Sequence, residues 1–391
     1  MCLVKVTSGL SPEALCAEGD AGGGACADTN PTMAQAKATT AAIRRRCRFI
    51  AGGYAQRFGS SIICNMALTR FLIVLALLWP CALDAQTKPA QPSWTTPRTP
   101  DGQPDLQGVW TNATLTPFER PASMAGKAFL TEAEAAAIEK RTSDNRSATD
   151  KMGPLAAGSY NRFWYDDGTT VLSTRQTSLV VDPPDGRVPV RPSAELRRDD
   201  YAARNGDSYE FMSPWDRCIT RGIPGAIFPA GYNNAYQIIQ TPGYFTIVYE
   251  MIHDARIIPL DSKQPRSSRD QSWMGDSRGH WEGDTLVVET TNFNNKGWIA
   301  TSAAGGRIKG IPHTDKLRVV ERFKRVAADK ISYSVTIEDP DIYTRPWTVA
   351  FPLTADPEYR IFEYACHEGN YAIENILRGA RALEKAGKPQ Q

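Results

Sequence analysis

Residues 273–293 read WMGDSRGHWEGDTLVVETTNF, a glycine-studded polar block that runs into an apolar strand. Asp276, Ser277, Arg278, His280, Glu282 and Asp284 fall within nine positions. Glu282-Gly283-Asp284 has turn chemistry, so Gly279–Trp281 and Thr285–Phe293 read as the arms of a β-hairpin. In an extended arm His280 and Glu282 share a face.

The same pattern recurs on both sides. Tyr236–Gln240, Thr241-Pro242-Gly243 and Tyr244–Glu250 read as a hairpin whose second arm continues through Met251–Leu260. Leu317–Arg325 and Lys330–Glu338 read as another, with Ala327-Ala328-Asp329 at the tip. Trp347–Leu353 and Tyr359–Cys366 are further strands, and Ser178–Asp182 is an earlier one. Hairpins at this spacing predict a mainly β chain folded as an antiparallel barrel or sandwich. Leu130–Arg141 predicts one surface helix, with Thr131 and Glu134 as a capping box. Tyr371–Ala386 predicts a C-terminal helix with Ile373, Ile376, Leu377, Ala380 and Leu383 on one face. Thr142–Ser159 and Arg197–Ser208 read as irregular.

The N-terminal region has a different character. Residues 1–65 are rich in Ala, Gly and Cys without an apolar period, and read as an over-extended start. From Met66, a short Arg70-bearing head, the apolar run Phe71–Leu78 and Ala85 have the layout of a secretory signal peptide. Domain boundaries therefore read as 1–65 upstream, 66–85 signal, 86–104 extended leader and 105–391 a single β-rich domain. Residues 1–85 hold eight basic and five acidic residues of the 45 and 43 in the chain, so the remainder is close to neutral. No basic patch points to nucleic acid, and no other segment is apolar enough to span a bilayer. Six of the eight cysteines lie at or before Cys81. The two left over, Cys218 and Cys366, read as one disulfide in an oxidising compartment, against a reactive thiol at Cys366 beside His367.

Three of the four histidines sit beside carboxylates. Alternation puts Glu250, Asp254 and Arg256 on one strand face, and His253 with Tyr249 and Met251 on the other. For Arg256 the competing reading is an ion pair on a solvated face. His280 with Glu282 suits a base and its orienting carboxylate, or two metal ligands. Asp276 and Asp284 read equally as turn-formers. In the third block, Tyr364–Tyr371, Glu368 and Asn370 suit a helix cap, whereas a cap has no need of His367. His313 reads as a loop residue.

Gly108-Val109-Trp110 at the head of the first strand resembles the opening of lipocalins and other calycin barrels, in which the Trp closes one end. The blocks YNNAYQIIQTPGYFTIVYEMIHDARIIPL, GDSRGHWEGDTLVVETTNF and EYACHEGNY resemble a family of exported bacterial proteins without an established activity. That second resemblance implies export and a shared fold, and it supplies no catalytic residues.

The lead expectation is a periplasmic or secreted enzyme acting on a small ring-containing molecule by acid–base chemistry, as a lyase, isomerase, hydratase or hydrolase. Its catalytic set is His253, His280, Glu282 and Asp254. Glu250, Arg256, His367, Tyr249, Trp281 and Tyr371 bind the substrate. One alternative is a non-catalytic, lipocalin-like carrier of a small ligand. The other is a hydrolase with a divalent transition metal on His253, His280 and His367; no cofactor is firmly required.

Overall fold

The computed structural model describes residues 94–151, 165–261, 267, 269–299 and 310–387. The expected start, signal peptide and first part of the leader lie outside the described residues. Ten strands form one sheet: β1 (Gly108–Thr111), β2 (Val180–Asp182), β3 (Ala235–Thr241), β4 (Tyr244–Tyr249), β5 (Ala255–Pro259), β6 (Asp276–Glu282), β7 (Thr285–Thr291), β8 (Arg318–Ala327), β9 (Lys330–Glu338) and β10 (Trp347–Ala355). The order is β5-β4-β3-β1-β10-β9-β8-β7-β6, with β2 added outside this path on β10. Apart from β2, neighbours in the sheet follow the chain order except at β1, which pairs with β3 on one side and with the last strand, β10, on the other.

All these ladders are antiparallel. The nine strands on the path nearly close into a barrel. An odd ring of alternating strands must contain one parallel neighbour pair, and here it is β5 with β6. The two meet at a parallel bridge, Leu260 with Gly279, and Asp261 N–H donates to the Gly279 carbonyl at 2.9 Å. The approach is close: a Cβ on Gly279 would lie 2.7 Å from Leu260 Cδ2 and would displace that side chain.

Alternation along the strands fills the interior. Phe245, Phe323, Tyr333 and Phe351 touch in series at 5.8, 4.9 and 5.1 Å between ring centres. At one end Trp110 is buried, its indole N–H donates to the Leu106 carbonyl at 3.0 Å, and the Arg325 guanidinium lies 5.4 Å above its ring.

Arg256 also points inward, which corrects the expectation of a solvated ion-pair face. From β5 it reaches across the seam and donates to Ser277 Oγ at 2.9 Å and Thr290 Oγ1 at 2.7 Å. It pairs with Glu321 on β8 at 2.6 Å, with side-chain exposures of 3% and 0%. Tyr333 donates to the other oxygen of Glu321 at 3.0 Å. Burial pushes the Arg256 guanidinium down, but Glu321 more than offsets it and the pKa is raised overall. Side-chain bonds thus cross the line where the backbone ladder is thinnest.

Several local readings change. The Leu130–Arg141 helix begins as expected, with Thr131 N–H donating to Glu134 Oε2 at 2.8 Å. It spans Glu132–Lys151, so ten residues expected in a loop are helical. Pro192–Ala203 is a helix, so residues 197–203 of the stretch expected to be irregular are helical, and Pro192 sits in the first turn where a missing N–H costs nothing. The C-terminal helix spans Ala372–Lys385, and its Arg381 holds the Gly206 and Asp207 carbonyls. Residues 94–103 are not a loose leader: Thr96 and Thr99 are buried, and Arg98 pairs with Asp284. No helix among the described residues is long and apolar enough to cross a membrane.

Candidate functional site

The arm read as running unbroken from Tyr244 to Leu260 is interrupted. Tyr249 N–H donates to the Asp254 carbonyl at 2.8 Å, and His253 N–H to the Glu250 carbonyl at 3.1 Å. This tight reversal separates β4 from β5. It requires left-handed backbone at Ile252 (φ 62°) and His253 (φ 46°). A β-branched residue there is strained, at a cost on the order of 1–3 kcal/mol, and such strain gathers at functional sites. Cys218 and Asn233, which flank the same region, are also left-handed.

Around this turn, polar and aromatic groups converge. Glu250 is buried and accepts from Asn233 Nδ2, from the Tyr359 hydroxyl at 3.0 Å and from Phe362 N–H at 3.3 Å. Those bonds account for residues 359–366 forming no strand: Tyr359 and Phe362 are turned onto Glu250. Burial and Glu250 together raise the Tyr359 phenol. Asp166 lies near; burial raises its carboxyl, against the opposing pull of the Asn234 N–H. Asp254 accepts from the Thr220 hydroxyl at 2.8 Å. Burial raises Asp254 too, with Thr220 and the neighbouring His253 pulling the other way.

His253 is exposed, and its Nδ1 lies 2.8 Å from the Tyr364 carbonyl oxygen. A carbonyl only accepts, so in the neutral ring Nδ1 carries the proton and Nε2 keeps its lone pair. Trp215, Tyr232, Met251 and Ile252 form an apolar cluster with Tyr364 packed against it, separate from the barrel core. The Tyr232 and Tyr364 rings are stacked, 6.4 Å apart at 12°. The Cys218–Cys366 disulfide forms as expected, with Cα atoms 5.6 Å apart, and ties the 218–236 segment to the 359–371 segment.

Arg221 completes the cluster. It is 6% exposed, and the phenols of Tyr236, Tyr232 and Tyr364 lie beside its guanidinium. Nothing in the sequence sets it apart from other arginines, except that it follows Cys218 by three positions. Asp166, Asn233, Thr220 and Tyr359 also escaped the sequence reading, because each belongs to a loop brought in by tertiary contacts.

The expected site residues fall into separate places. Glu250, His253 and Asp254 come together at the end of the barrel where β4 stops and β5 starts. Tyr249, Arg256 and Trp281 belong to the interior: Tyr249 is fully buried, burial pushes its phenol up to about 12, and Trp281 packs against the core. His280 and Glu282 lie 3.3 Å apart on the outer face of β6, where Arg322 and then His280 hold the Glu282 carboxyl low. Because β5 and β6 run parallel through the Leu260–Gly279 bridge, the turn before β5 and the tip of β6 are at opposite ends, roughly 25–30 Å apart along the strands.

The expected pairing of His253 with His280 therefore does not form, nor does the His253, His280 and His367 triad. Among the described residues no group of three or more His, Cys, Asp or Glu side chains is placed to hold a metal ion. His367 and Tyr371 are exposed beyond the disulfide. His313 is in a loop as expected but is buried against Phe293 at 5.3 Å, and burial lowers its pKa. Asp276 pairs with Arg278 at 2.9 Å, and Asp284 turns the chain.

Comparison with protein-family models, with curated proteins and with solved structures finds no match.

Proposed function

We propose that the cluster around the Glu250–Asp254 turn is the active site of an exported acid–base enzyme for a small, ring-bearing molecule. The observation that carries this reading is His253: a strained turn presents it, and the Tyr364 carbonyl sets its tautomer at 2.8 Å. Nε2 is then the base that takes a proton from the substrate or from water. Asp254, whose carboxyl burial raises, is the partner that holds and returns a proton. Trp215, Tyr232 and Tyr364 offer aromatic faces for the ring. Lyase, isomerase, hydratase and hydrolase chemistry all share this proton transfer. The disulfide supports export, since such bonds persist in oxidising compartments.

The test is to incubate the purified full-length chain and His253→Ala with a small-molecule extract in D₂O and read both by mass spectrometry. The enzyme reading expects mass changes or deuterium uptake with the parent protein only. Identical extracts defeat it. A compound retained unchanged by both proteins assigns the site to a carrier instead.

A further inference from the structure

Arg221 holds a charge that the acid–base reading does not use. Its guanidinium has no hydrogen-bond or ion-pair partner among the described residues, although 94% of the residue surface is covered. The other buried arginines are satisfied differently: Arg256 has Glu321, and Arg120 has Thr177 Oγ1 and the Pro184 carbonyl. Arginine cannot shed its proton under ordinary conditions, and an unpaired buried cation is expensive. The carboxylates of the Glu250–Asp254 cluster are engaged with other groups. Asp254 is on Thr220, Asp166 on the Asn234 N–H, and Glu250 on Asn233, Tyr359 and Phe362.

We propose that Arg221 receives the carboxylate of a ring-bearing organic acid. This rests on the acid–base reading only in taking that acid as the substrate of the same site. A guanidinium fork matches the two oxygens of a carboxylate. One guanidinium balances a single negative charge, whereas a phosphate dianion would leave a second charge buried and uncompensated. The groups beside Arg221 are tyrosines, so a ring attached to the carboxylate meets aromatic faces rather than water.

The experiment is calorimetric titration of the full-length chain with benzoate at constant ionic strength, with benzamide as the neutral isostere and inorganic phosphate as competitor. Saturable benzoate binding is expected, with benzamide at least about tenfold weaker and phosphate without effect. Arg221→Gln weakens benzoate at least about tenfold, whereas His280→Ala, on the outer face of β6, retains it. The proposal is overturned if benzoate fails to saturate by concentrations on the order of 10 mM, if benzamide binds equally well, or if phosphate displaces benzoate. Unchanged benzoate binding by a folded Arg221→Gln overturns it as well. Should Arg221→Gln not fold by circular dichroism, the benzoate–benzamide ratio on the parent protein decides. Benzoate binding without any turnover sustains this proposal and defeats the acid–base reading; His253-dependent turnover without benzoate binding does the reverse.

Discussion

Replacing Arg256 by methionine removes a cation from the barrel interior and leaves Glu321 behind. Glu321 is fully buried, and its remaining donor is the Tyr333 hydroxyl at 3.0 Å. An abandoned buried charge of this kind costs about 3–5 kcal/mol. Adding Glu321→Leu removes the second charge. Ser277 and Thr290 still satisfy each other at 3.0 Å, so the main residual loss is the acceptor of Tyr333, about 1–3 kcal/mol. The double variant is therefore expected to be more stable than Arg256→Met alone, with a favourable coupling of about 2 kcal/mol or more. Guanidinium unfolding of the full-length chain with the disulfide intact reads this as a shift in midpoint at constant slope, followed by tryptophan fluorescence and circular dichroism together. If the double variant falls as far as the single one, or if Arg256→Met costs under about 1 kcal/mol, the interior pair does not hold the seam.

Gly279→Ala drives a Cβ to 2.7 Å from Leu260 Cδ2. It should destabilise by about 1–3 kcal/mol and speed hydrogen exchange at the Asp261 amide; unaltered exchange there would count against the seam. The Cys218→Ser/Cys366→Ser variant opens a link across 148 residues, worth up to about 5 kcal/mol in the chain-entropy model. It should lower the melting temperature and abolish benzoate binding before the chain unfolds. Asp254 has a native pKa above its ordinary 3.8, so between the two values the native state binds more protons than the unfolded state. Stability must then fall as pH rises through that window. Asp254→Asn should flatten this part of the stability curve, and a slope equal to that of the parent protein would refute the assignment.

The hairpins were legible because period-two alternation and turn residues agree. The strands at 285–291, 330–338 and 347–355 all match the reading closely. The break at 251–254 was not legible. Met-Ile-His-Asp contains no Gly, Pro or Asn, and its left-handed residues are imposed by bonds to neighbouring segments. Pro192 did signal a helix start, and the charged run after it was misread as irregular. The closeness of the histidines in sequence also misled. Whether His253 and His280 meet depends on how the ring closes, and an odd strand count turns β6 so that its tip lies far from the turn before β5. Local patterns carry no information about that closure. Arg221 was invisible for a related reason: its isolation is a property of what fails to pack against it.

The two thin joints of the ring carry a consequence for the order of folding. The strands β5-β4-β3-β1 form one run of long ladders and β10-β9-β8-β7-β6 another. The runs share two residue pairs between β1 and β10 and one bridge between β5 and β6. Apart from β1, whose partners on β3 and β10 are distant in sequence, each run is a meander of sequence neighbours and can assemble through short-range contacts, while their union waits on distant ones. Arg256–Glu321 spans that union. Its loss should therefore quicken unfolding while leaving the refolding rate nearly unchanged, the kinetic mark of a contact made after the barrier.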